Sequence, residues 1–129
     1  MSLSDAIAIL GSGMKGQSRR IGHIAENIAN ADTPGYKRKV VAFRAAVEQG
    51  RRTGAIEPGP LRLDRAAGER THDPAHPLAD ADGYWEGSNV DLVTELADAR
   101  EAQRSYEANL KIFEQVRRMS SAVMDVIKR

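Results

Sequence analysis

AIAILGSGMKG, residues 6–16, sets Gly11, Gly13 and Gly16 at G-x-G-x-x-G spacing directly behind an apolar run, and Asp32 follows roughly 20 residues after Gly11. That is the outline of a dinucleotide-binding fingerprint, in which glycines let a strand-to-helix turn approach a pyrophosphate. The flanking residues favour another reading. Leu3, Ile7, Leu10, Met14, Gln17, Ile21, Ile24 and Ile28 recur at alternating spacings of four and three, and all but Gln17 are apolar. The series runs straight through the glycines, which predicts one helix lying along a partner helix. A nucleotide fold would need a second strand before Asp32, but IAENIANA (24–31) keeps the helical period, and no further βαβ unit follows.

Ser4 is a candidate N-cap for this helix. Gly11, Gly13, Gly16 and Gly22 lie largely off the seam, and each costs roughly 1 kcal/mol relative to alanine inside a helix. They would let neighbouring helices approach closely while leaving the isolated helix marginal, which reads either as local flexibility or as a helix that becomes ordered only when packed in an assembly. Asp32-Thr33-Pro34-Gly35 stops the helix, since Thr33 precedes proline and Pro34-Gly35 suits the centre of a type II turn.

YKRKVVAF (36–43) alternates like a short strand, and FRAAVEQ (43–49) suggests one or two helical turns. Six of the eleven glycines and four of the five prolines fall within residues 50–88, which predicts loops and short strands with little core. DPAHPLADADGYW (73–85) reads as mostly extended with a turn at ADADG. From about Asn89 the chain is expected to be helical to its end, capped by Ser88 or Asn89. Leu92, Leu96, Ala99, Tyr106, Leu110, Phe113, Val116, Val123 and Ile127 form its apolar stripe. The expected fold is mainly α: a coiled-coil-like hairpin of N- and C-terminal helices (1–31 and 89–129) around an irregular, short-stranded insert (32–88). The N-terminal seam covers about two-thirds of the longer helix, so apolar length is left over for other chains.

Composition narrows the function. The chain has 129 residues, 19 Lys+Arg against 18 Asp+Glu, and 5% aromatic residues. Near-neutral charge argues against a nucleic-acid footprint, and the basic pairs (Arg19-Arg20, Lys37-Arg38-Lys39, Arg51-Arg52, Arg117-Arg118) read as solvated faces. Cysteine is absent, which removes disulfides and thiol chemistry. No run approaches the ~20 apolar residues of a membrane span, and the opening lacks the pattern of a cleaved secretory signal. His72 and His76 are separated by Pro74, which forbids helical metal ligation. Asp80, Asp82 and Gly83 lack the spacing of a calcium loop. No Ser, His and carboxylate set forms a nucleophilic site. No catalytic, cofactor or metal residue is assigned.

NIANADTPGYKRK (27–39) resembles the N-terminal signature of bacterial flagellar rod and hook axial proteins, a helix ending Asn-(Ile/Leu)-Ala-Asn followed by Thr-x-Gly-Tyr-(Lys/Arg). Asn27, Asn30, Thr33, Gly35, Tyr36 and Lys37 carry the match. REAQRSYEANLKIFEQVRRM (100–119) is similar to their C-terminal helix, through Arg104, Ser105, Tyr106, Glu107, Ala108 and Asn109. DPAHPLADADGYW and GSNVDL (87–92) resemble stretches of the proximal-rod branches, whereas residues 44–70 match no part of the pattern.

The resemblance implies a non-enzymatic subunit of the proximal rod. Such a subunit is exported by the flagellar type III apparatus without a cleaved signal and assembled helically into a torque-transmitting tube in the periplasm. Implied partners are further copies, other rod proteins such as FlgB and FlgF, and basal-body ring proteins, without nucleic acid or membrane insertion. Asn27, Asn30 and Asn109 are then candidates for hydrogen bonds that fix helix ends or register, and Tyr36 and Tyr106 for amphipathic anchors. The competing readings are a soluble helical adaptor or export chaperone, and a nucleotide-dependent enzyme.

Overall fold

A computed structural model describes all residues 1–129. Helix α1 spans Leu3–Ala29 and α2 spans Leu92–Ile127, 27 and 36 residues long. Between them lie β1 (Lys39–Glu48), β2 (Arg51–Leu63), β3 (Arg70–His72) and β4 (Tyr84–Glu86). About half of the chain is therefore helical, and the insert is two separate antiparallel sheets, β1-β2 and β3-β4.

The glycine-rich opening is continuous helix. Ser2, not Ser4, is its N-cap. The Asp5 N–H donates to Ser2 Oγ at 3.0 Å and the Ser2 N–H donates to Asp5 Oδ2 at 2.9 Å, a reciprocal capping box that satisfies two groups at the helix end. Asn30 closes the other end, and the Tyr36 N–H donates to Thr33 O at 3.2 Å across Pro34-Gly35. Gly35 takes φ 72°, as the third position of a type II turn requires.

The two helices run antiparallel: Gly13 lies against Asn109, Arg20 pairs with Asp98 and Glu101, and Asn27 meets Glu95. Gly13 and Gly16 have different neighbours. A Cβ at Gly13 would stand 2.7 Å from Asn109 Nδ2 on α2, and one at Gly16 would stand 3.0 Å from Phe43 and 3.3 Å from Ile56 of the β1-β2 hairpin. The glycines therefore seat both neighbours of α1 instead of cradling a phosphate. Ser12 completes the second seat, its Oγ donating to Ile9 O at 2.7 Å and accepting from the Ile56 N–H at 3.1 Å.

On α2, Glu95, Ala99, Ala102, Tyr106, Asn109, Phe113, Val116 and Ser120 are buried or half-buried, at spacings of four and three. Every residue from 121 onward is exposed. The packed face is therefore turned from the expected apolar stripe at its start: Leu92 and Leu96 are exposed, and Glu95 takes the inner position. Leu110 lies on the exposed flank, while Val123 and Ile127, 50% and 70% exposed, continue the inner spacing past the end of α1. On α1, Ile24 is buried, Ile7, Leu10, Met14, Ile21 and Ile28 are half-buried, and Leu3 is exposed.

The insert corrects three expectations. FRAAVE (43–48) is strand rather than helix, paired with β2 in a ladder from Lys39↔Leu63 to Glu48↔Arg51. Gln49 and Gly50, with φ 49° and 78°, make the tight turn between the strands, the geometry of a two-residue hairpin loop. Residues 51–63, expected as loops and short strands, form one strand of 13 residues. DPAHPLADADG is a series of turns, and only its end reaches β4. Ser88 and Asn89 do not cap α2. Asp91 does, its carboxylate accepting from the Val93 N–H at 3.0 Å.

Candidate functional site

Where α1, β1 and α2 meet, the chain buries a polar cluster in place of a hydrophobic one. Asn27 and Glu95 are both 0% exposed. The Asn27 amide donates to Lys39 O at 3.0 Å and to Glu95 Oε2 at 3.2 Å. Its carbonyl accepts from Tyr36 OH at 3.0 Å and from the Lys39 N–H at 2.8 Å. All four hydrogen-bonding positions of the side chain are filled. One residue on the last turns of α1 thereby fixes the exit of the chain, the start of β1 and the start of α2.

Arg38 supplies the countercharge. Its Nε donates to Glu95 Oε1 at 2.7 Å, its Nη2 reaches Asp98 Oδ2 at 3.4 Å, and its Nη1 lies 3.8 Å from Asp64 Oδ2. Burial works to discharge the guanidinium, and the Glu95, Asp98 and Asp64 carboxylates outweigh it, so its pKa is raised. Burial also raises the Tyr36 phenol above its ordinary value. Lys39 pairs with Glu26 at the rim.

Asn89 ties the insert to this base. Its carbonyl accepts from the Arg38 N–H at 2.7 Å and its amide donates to Asp64 O at 2.9 Å and Ala66 O at 3.1 Å. Ser88 Oγ donates to Ala31 O, and the Gly35 N–H donates to Glu86 O at 3.2 Å.

The small β3-β4 lobe is held by Glu86, which accepts from the Gly68 N–H at 2.8 Å and from Lys37 Nζ at 2.9 Å. The Gly68 N–H first, and then Lys37, hold its carboxyl below the ordinary value. Because the folded pKa is lowered, this contribution is present above the ordinary value of 4.5 and is lost as pH falls through the folded value. Acidification below about pH 4 should therefore loosen the lobe and shift the emission of Trp85, the chain's one tryptophan. Glu86→Gln should shrink that transition, leaving the part carried by Asp80, whose carboxyl is lowered first by the Tyr84 N–H. An unchanged acid profile in Glu86→Gln would remove Glu86 from this role.

His72 is exposed on β3 and His76 is half-buried in the turns before β4. His76 stacks on Trp85 at 4.2 Å between ring centroids, and His72 meets Tyr84 edge-on at 4.8 Å. His76 Nδ1 accepts from the Leu78 N–H at 3.1 Å. No group of His, Asp and Glu is placed to hold a metal ion, and no helix is long and apolar enough to cross a membrane.

Of the residues singled out in the sequence, Asn27 and Tyr36 stand inside the cluster. Asn30 caps α1, its amide donating to Glu26 O at 2.8 Å and its carbonyl accepting from Thr33 Oγ1 at 3.1 Å. Asn109 lies against Gly13, and Tyr106 is half-buried between the helices. Arg104 and Glu107 are exposed on α2. Sequence reasoning missed Arg38, Lys39, Glu95 and Asn89. The available signal was an acid at an inward-facing position of α2 together with a basic run directly after α1.

Both ends of the chain match models of the same class. Residues 7–37 match the model described as "Flagella basal body rod protein". Residues 81–126 match "Flagellar basal body rod FlgEFG protein C-terminal". Terminal helices joined through a polar base and flanking an insert thus define a rod-type axial protein of the flagellum.

Full-length relatives narrow this. A flagellar basal-body rod protein FlgC from Agrobacterium fabrum is 39% identical, the alignment covering 98% of this chain and 96% of the relative. The FlgC of Salmonella typhimurium is 34% identical over 92% and 93%, and that of Yersinia enterocolitica 36% over 87% and 88%. The chain belongs to the FlgC family of flagellar basal-body rod proteins, a structural family and not an enzyme family.

Proposed function

We propose that this chain is a subunit of the proximal rod, exported by the flagellar type III apparatus and built helically into a periplasmic drive shaft. Residues 1–31 and 89–129 form its axial core and 32–88 the arm that reaches neighbours. Its seams pack in coiled-coil fashion within and between subunits, beside other rod proteins such as FlgB and FlgF and the basal-body rings.

Surface area carries this reading. A compact monomer of the same mass exposes about 6,700 Å², whereas this chain exposes 9346 Å². The excess equals about three standard contact patches of ~800 Å² each. Only 7 of 129 residues are buried, so little of the apolar surface is covered by the chain itself. An export chaperone or adaptor would hold one client in solution. A rod subunit should instead be recovered in isolated basal bodies, with cells lacking it making no rod and not swimming. Recovery of the tagged chain only in the soluble fraction, bound to a single exported client, would overturn the proposal.

A further inference from the structure

The two ends of α2 are unlike, and they complement each other. At its start, Ala31, Asp32, Glu69, Trp85, Val90 and Leu92 line a cleft of about 260 Å³ between the helix pair and the β3-β4 lobe. The cleft holds two carboxylates and no cation, and neither Asp32 nor Glu69 makes an ion pair within the chain. Asp91, which caps the helix beside Leu92, adds a third acid.

At the far end, Ile112, Met119 and Val126 form a stripe at seven-residue spacing, 52%, 50% and 73% exposed. Arg117, Arg118, Lys128 and Arg129 surround it, outnumbering Glu114 and Asp125 on the same stretch, and none of these charges is paired within the chain.

Resting on the rod-subunit reading above, we infer that the acidic Trp85–Leu92 cleft of one copy receives the basic tail of α2, around Met119 and Val126, from a second copy. Three observations agree on this occupant. Charge is opposite at the two surfaces and would fix their orientation. The helix dipoles meet in the favourable sense, the negative end of one α2 at the positive end of the next. Apolar side chains of the tail fit a cleft too small for a whole helix, and Trp85, Val90 and Leu92 give it apolar walls. A contact between two different surfaces of the same chain is heterologous, closing into a ring or propagating as an open helix according to its rotation, and the rod-subunit reading takes the open form.

The absence of cysteine permits a direct test. Within one chain, positions 92 and 126 are separated by about 50 Å of helix, far beyond the ~7 Å limit for a disulfide, so any bridge between them joins two copies. Leu92→Cys and Val126→Cys chains, mixed, assembled and oxidised, should give covalent dimers. The double variant should give a ladder, either variant alone should give nothing, and Trp85 emission should move to shorter wavelength on assembly. Assembled polymer without the ladder, or equal bridging by the single variants, overturns the contact while leaving the rod subunit standing. A Trp85 shift without the ladder assigns the cleft to a different chain and also overturns it. No association of the native chain with itself or with basal bodies overturns both readings.

Discussion

Arg38→Leu should lower the stability of the isolated chain by about 3 kcal/mol and its melting temperature by roughly 10 °C. The cause is not the loss of a surface ion pair. Glu95 is fully buried, and Arg38 is the only cation within reach of its carboxylate. Removing one partner of a buried pair leaves a charge that neither water nor protein compensates, which costs about 3–5 kcal/mol. The lower end applies here because the Arg38 side chain keeps 20% of its exposure. The neighbours cannot share the load, since Asn27 already uses both amide protons and Lys39 is engaged with Glu26.

Adding Glu95→Gln to Arg38→Leu should recover more than half of the loss, because a neutral amide needs no counterion and still accepts from Asn27. Thermal unfolding followed by circular dichroism reads both variants. Melting of Arg38→Leu within about 2 °C of the native chain would mean that the cluster does not hold the base together.

The helices were legible because apolar periodicity is a local property of the sequence. Ile7, Leu10, Met14, Ile21 and Ile24 announce α1 despite four glycines, and nothing breaks α2 after Gly87. Legibility fails where the partner decides the structure. FRAAVEQ contains enough alanine to suggest a helix, and FRAAVE is strand because β2 lies beside it and Phe43 drops onto Gly16. The Gln49-Gly50 turn was the available clue, since two residues that accept positive φ between runs of strand length signal a hairpin. At the start of α2 the apolar residues Leu92 and Leu96 misled, because the inward position is taken by Glu95. A polar residue there is stable only with Asn27 and Arg38 opposite, and no single segment reveals that arrangement. The family signature did mark Asn27 and Tyr36, which meet where the Tyr36 OH donates to the Asn27 carbonyl oxygen.

The α2 overhang separates folding from assembly most sharply. Val123→Asp combined with Ile127→Asp should leave the monomer's melting temperature within about 2 °C, since both side chains already face solvent and such changes move stability by less than about 0.5 kcal/mol. The same pair should raise the concentration needed for self-assembly by at least roughly 100-fold, because each lost apolar burial is worth about 1.5–3 kcal/mol.

Helical phase decides the outcome. Glu95, Ala102, Asn109 and Val116 face α1 at heptad spacing beside a second row of Ala99, Tyr106, Phe113 and Ser120, and Val123 and Ile127 extend the two rows to where α1 has ended. Within one chain this extension points at water, so its apolar character matters only when another subunit supplies the missing helix. Ala122→Asp introduces one carboxylate, half the charge of the double variant, in the same turn but off both rows, and it should assemble nearly normally. Sedimentation across a concentration series measures all three chains. Equal loss in Ala122→Asp would attribute the defect to charge in general, and normal assembly of the double variant would show that the overhang does not lie in a subunit contact.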